Sequence, residues 1–84
     1  MESMIVKIKD QLNRYLQNEC DDYWIVSKEC NELVAYYAGT ERFRLEFDED
    51  DWYFSGRNLS IDIVNTISEI TCEALKEWET NMER

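Results

Sequence analysis

The chain contains no histidine. That removes the commonest general base and the commonest metal ligand, and no G-x-S-x-G, P-loop, G-x-G-x-x-G or zinc spacing takes its place. A cysteine nucleophile would need another base and an electropositive setting, whereas Cys20 and Cys30 stand among Glu19, Asp21, Asp22, Glu29 and Glu32. The expectation is a protein that is not an enzyme and needs no cofactor.

Proline is also absent, glycine occurs only at 39 and 56, and no repeat or low-complexity stretch is visible. Nothing marks a linker, so residues 1–84 are read as one domain. No apolar run is long enough to span a membrane. The opening MESMIVKIKDQLNRYL lacks the apolar core and cleavage pattern of a secretory signal. Cys20, Cys30 and Cys72 are odd in number and form no C-x-x-C pair, which suits free thiols in the cytoplasm.

Positive charge is scarce. Nineteen acids against nine bases leave a net charge of -10 on 84 residues, a balance that repels nucleic acid and anionic membranes and favours basic partners. Residues 1–20 hold three of each sign, so the whole excess lies beyond them.

What the chain does have is bulk: 44% hydrophobic residues, with three Trp, five Tyr and three Phe. A core at this size is marginal and relies on a few large side chains. From Ser3 to Asn18, residues Met4, Ile5, Ile8, Leu12, Tyr15 and Leu16 recur at spacings of three and four, which predicts an amphipathic helix with Lys7, Lys9, Asp10, Arg14 and Gln17 opposite. β-Branched and aromatic residues then cluster and the helical spacing stops. Strands are expected at Tyr23–Lys28, Glu32–Ala38 and Arg42–Phe47, with turns at Glu29-Cys30-Asn31 and Gly39-Thr40. In the third, Phe43, Leu45 and Phe47 alternate with Arg42, Arg44 and Glu46, so one face is core and the other at least partly wet. Trp52–Ser55 is a short fourth strand candidate. Ser60 is a good N-cap for a last helix through about Asn81, whose apolar face of Ile63, Ile67, Ile70, Ala74 and Trp78 should make it the main lid on the sheet. The fold class is α+β: an antiparallel three- to four-stranded meander between N- and C-terminal helices, both on one sheet face.

Two features are candidates for function. The first is acidic. Asp48, Glu49, Asp50 and Asp51 form a cluster, and Asp62, Glu69, Glu73 and Glu77, at spacings of seven, four and four, form a stripe along the last helix. An EF-hand loop counted from Asp48 fails, with Tyr53 where glycine is needed and Leu59 where the bidentate glutamate belongs, and no metal site is assigned. A solubilising hairpin turn at a sheet edge accounts for the cluster in the plainest way. The sharper reading joins it to the stripe and to Asp21, Asp22, Glu29 and Glu32 as carboxylates spaced like backbone phosphates, a surface that competes for a protein's nucleic-acid groove. The second feature is aromatic. Both faces of the first strands carry bulk, so some of Trp24, Tyr36 or Tyr37, and one of Trp52 or Tyr53, should be partly accessible as interface anchors.

The order α-β-β-β-α resembles that of the double-stranded RNA-binding domain. That domain contacts phosphates through basic side chains, whereas this last helix carries six acids against two bases through Arg84, so direct nucleic-acid binding is not expected. In size, acidity and lack of catalytic residues the chain is similar to small phage-encoded anti-defence inhibitors, such as uracil-DNA glycosylase inhibitor and several anti-CRISPR proteins. The likeness is one of class and transfers no site residue. It implies a small interaction protein that inhibits a basic, nucleic-acid-binding partner or nuclease. The alternative is a homodimeric structural or regulatory domain that self-associates through an open aromatic sheet face.

Overall fold

The computed structural model describes residues 2–48 and 51–82, without the side chains of 80–82. Helix α1 spans Glu2–Tyr15 and ends in a π-helical turn, Leu16–Cys20, closed by the Asp21 amide donating to the Leu16 carbonyl at 2.8 Å. Four strands follow: β1 Trp24–Glu29, β2 Glu32–Tyr37, β3 Thr40–Phe47 and β4 Trp52–Gly56. Helix α2 then runs from Ile61 to Met82. The strands form one antiparallel sheet in the order β1-β2-β3-β4. The expected α+β fold is present, with all four strands and both helices.

Turn chemistry sets the hairpins. Ala38 and Gly39 both have positive φ, 50° and 86°, as the right-handed twist of a two-residue hairpin favours. The second turn therefore lies at Ala38-Gly39, one residue earlier than expected, and Thr40 already belongs to β3. Cys30 adopts φ 56° in the first turn, a conformation that glycine takes at little cost. Gly56 is needed for another reason: a Cβ there would lie 2.8 Å from Leu59 Cδ1 and 2.9 Å from Phe54 Cζ.

The core fills one side of the sheet. Trp24, Val26, Leu33, Ala35, Phe43, Leu45 and Phe47 meet Met4, Ile5, Ile8, Leu12 and Leu16 of α1 and Ile67 and Ala74 of α2. Ser60 caps α2 as expected, its hydroxyl accepting from the Ile63 amide at 3.3 Å. The buried Thr71 satisfies its own hydroxyl by donating to the Ile67 carbonyl at 2.8 Å.

Helix α2 is not the main lid. Helix α1 supplies more of the fully buried side chains and also seals a sheet edge. In the β1–β2 ladder the outward backbone groups belong to Trp24, Val26 and Lys28, as the Ala38 amide bonding Tyr23 O fixes the alternation. The Asn13 amide donates to Val26 O at 3.1 Å and its oxygen accepts from Val26 N at 2.8 Å. One turn later Gln17 donates to Trp24 O at 2.9 Å, so it faces β1 rather than open solvent. Two side-chain amides thus stand in for a fifth strand.

Candidate functional site

The outer sheet face is built by three cross-strand rows: Ile25–Tyr36–Glu41, Ser27–Val34–Arg44–Ser55, and Glu29–Glu32–Glu46–Tyr53. Val34 at its centre is wholly buried although no helix covers it, because longer neighbours close over it. Among them, Arg44 donates to Glu32 at 3.0 Å and to Glu41 at 2.9 Å. Those carboxylates, Glu41 first, hold the guanidinium still more firmly protonated. Tyr36 donates to Glu29 Oε2 at 3.3 Å. Partial burial, then the Glu29 charge, pushes its phenol upward.

Four glutamates therefore share the strands of this face with one arginine, Arg44, while Arg57, just past β4, lines a hollow with Glu41 and Ser55. Like charges directly opposite across strands are destabilising, by about 0.2–1 kcal/mol per pair. Yet Glu29, Glu32 and Glu46 lie in one row across three strands. At a strand spacing of about 4.8 Å, these carboxylates form a closely spaced line of negative charge, as the phosphates of a nucleic-acid strand do. Glu41 and Glu46 were missed from the sequence as members of this surface; strand alternation was the signal for Glu46, but a bulge hid Glu41. The pairing shifts between Ala35 and Tyr36, so that Arg42 is the extra residue. Arg42 thereby leaves the outer face and stacks its guanidinium 5.7 Å from the Trp24 ring and 5.8 Å from the Tyr37 ring.

The acidic helix stripe is turned toward α1. Lys7 pairs with Glu77, and Glu73 shares an interhelical groove with Gln11 and Arg14. Asp62 lies close enough to Tyr15 to act on its phenol. There a hydrogen bond with Thr66 favours ionisation, but burial, Cys20 and Asp62 together outweigh it and raise the value. Glu69 is exposed. The stripe belongs to the helix layer, on the other side of the sheet from the glutamate face.

The acidic cluster sits at the β3–β4 turn. The Asp48 amide donates to the Asp51 carbonyl at 2.9 Å, and Asp51 Oδ1 accepts from the Trp52 amide at 2.8 Å, so Asp51 also works as a turn cap. Glu49 and Asp50 lie outside the described residues. The Phe47 amide donates to Asn31 O at 3.1 Å, which brings this turn beside the β1–β2 turn and the Glu29 row.

Two aromatic expectations are corrected. Trp24 is only 4% exposed, held between α1 and Tyr37 in the core. Trp52 is half-buried and packs toward the core rather than outward. Tyr53, 55% exposed, and the half-buried Tyr36 do lie on the outer face, and Ile25, 56% exposed, joins them. The outer face is thus acidic with a few apolar anchors rather than broadly aromatic.

Among the described residues no helix is long and apolar enough to cross a membrane, and no group of three or more Cys, Asp or Glu side chains converges as a metal site. Comparison with protein-family models, with curated proteins and with solved structures finds no match to this chain.

Proposed function

We propose that the chain is a small acidic interaction module that binds and inhibits a basic, nucleic-acid-binding protein by occupying its nucleic-acid groove. The observation that carries this reading is the row Glu29–Glu32–Glu46, a line of like charges laid across three strands with one arginine beside it. Packing alone gives no reason for such a row, and the fold would be steadier with alternating signs. Tyr36, Tyr53 and Ile25 supply apolar contact at its rim, which an electrostatic encounter needs if it is to last. The β3–β4 turn, with Asp48 and Asp51, extends the same end. The role is binding rather than catalysis.

Charge reversal tests this reading and ranks its surfaces. Tagged wild-type chain should retain nucleic-acid-binding proteins from a lysate, and heparin or duplex DNA should displace them. A Glu29→Lys/Glu46→Lys variant should lose these proteins while keeping native far-UV circular dichroism; Glu73→Lys should lose few. Retention of the same proteins by Glu29→Lys/Glu46→Lys would refute the mimic.

A further inference from the structure

Among the described residues, no element pairs with the second edge of the sheet, β4. Two ladder bonds fix its pattern: Asp48 N to Asp51 O at one end and Arg57 N to Arg42 O, 3.1 Å, at the other. Alternation then directs Tyr53 and Ser55 toward β3 and turns the backbone groups of Trp52, Phe54 and Gly56 outward. Among the described residues no Cα of α2 comes within 8 Å of a Cα of β4. Natural sheets guard such an edge with lysine, proline, an inward charge or a covering element. From Trp52 to Gly56 the sequence is WYFSG, uncharged in a chain that is 33% charged.

We propose that two copies of this chain pair their β4 strands antiparallel about a twofold axis at Phe54, joining the two four-stranded sheets edge to edge. The register follows from charge. Centring on Phe54 sets Tyr53 opposite Ser55 of the second copy, and Asp51 opposite its Arg57, twice over by symmetry. Asp51 and Arg57 are both exposed, and no ion pair of Arg57 occurs among the described residues. These are non-hydrogen-bonded positions, where facing side chains approach most closely. Phe54 N–H donates to Phe54 O of the other copy in both directions, and Gly56 N–H donates to Trp52 O, so the pairing forms without taking the Trp52 amide from Asp51. A copy laid face to face instead would stack the glutamate rows against each other. The net charge of -10 on each copy opposes assembly, but at physiological ionic strength the Debye length of about 8 Å confines that repulsion to nearby groups. A contact of one strand is small, so the dimer is weak, with Kd between about 10 μM and 1 mM.

This inference stands apart from the binding of a basic partner, and its test uses purified chain alone. Sedimentation equilibrium in 0.15 M salt should show a monomer–dimer equilibrium, with Phe54 and Gly56 amides gaining exchange protection as concentration rises. Ser55→Lys, exposed but opposite Arg44, should keep native far-UV circular dichroism with a slightly lower melting temperature and remain monomeric. Arg57→Asp should weaken dimerisation about tenfold by setting two pairs of like charges opposite each other, and Asp51→Arg/Arg57→Asp should restore it. A wild-type chain that stays monomeric at about 1 mM overturns the proposal, as does Ser55→Lys or Arg57→Asp dimerising at wild-type strength.

Discussion

The two edges of the sheet are finished in opposite ways. At β1 outward backbone groups are met from α1 and the turn that follows it: Asn13 takes both groups of Val26, Gln17 takes the Trp24 carbonyl, and the Trp24 amide donates to the Asp21 carbonyl at 3.4 Å. At β4 the equivalent groups of Phe54 and Gly56 face outward from an uncharged strand. Two well-placed side-chain amides can thus close the middle of a sheet edge without another strand. The difference also shows where this molecule has put its stability and where it has left a surface to be used.

The largest predicted effect breaks the closed edge. Asn13→Ala leaves the Val26 N–H and C=O half-buried without partners, and should lower unfolding free energy by about 2–3 kcal/mol, measured by urea denaturation. Exchange at the Val26 amide should quicken at the same time. Asn13→Asp keeps the acceptor and loses the donor, and should fall between the variant and wild type. A loss of less than about 0.5 kcal/mol would mean that water serves β1 as well as α1 does.

Next comes the anchor that holds the chain leaving β4. Arg42 stacks on Trp24 and Tyr37 and donates to Asn58 O at 2.7 Å. Arg42→Ala should destabilise by about 1–2 kcal/mol in the same assay. Arg42→Lys should recover only part, because a point charge cannot stack and reach Asn58 at once.

These residues also mark the limit of what the sequence discloses. Spacing and composition identified α1, α2 and three strands and offered the fourth as a candidate, because both are local properties: Ile5, Ile8 and Leu12 repeat within one helix, and Phe43, Leu45 and Phe47 within one strand. The edge seal was invisible because Asn13 and Gln17 have the spacing of solvated helix residues, and only tertiary placement aims them at β1. Arg42 was assigned to the wrong side because the bulge inserts one residue and reverses the alternation before it. The acidic helix stripe was read correctly as a stripe, but nothing local shows that Lys7 and Arg14 would face it. Glu29, Glu32 and Glu46 became one row only when the register was known.

The turn at the start of β2 offers a smaller effect of opposite sign. Cys30 at φ 56° bears a conformational cost that glycine avoids. Cys30→Gly should raise stability by about 1 kcal/mol, seen as a higher melting temperature, and leave the closed edge and its exchange rates unchanged. A decrease would show that the cysteine side chain makes a contact worth more than the strain.

The smallest effect is one of pH, and it acts on the entry to the closed edge. Tyr37 donates to Asp21 Oδ2 at 2.9 Å, tying β2 to the segment that leads from α1 into β1. That hydrogen bond, followed by burial and the Asp21 charge, raises the phenol above its ordinary value of 10.0. A tyrosine whose folded pKa is raised contributes stability that is fully present below the unfolded value and is lost as pH climbs through the folded one. Tyr36 and Tyr15 are shifted in the same direction. The tyrosine contribution to stability should therefore fall only above pH 10, and phenolate absorbance should show part of the tyrosine ionising late. In Asp21→Asn the Tyr37 component should ionise earlier, since the amide still accepts the bond but no longer repels the phenolate. Below pH 10 that variant should unfold at nearly the wild-type temperature, which separates the effect of the charge from that of the bond.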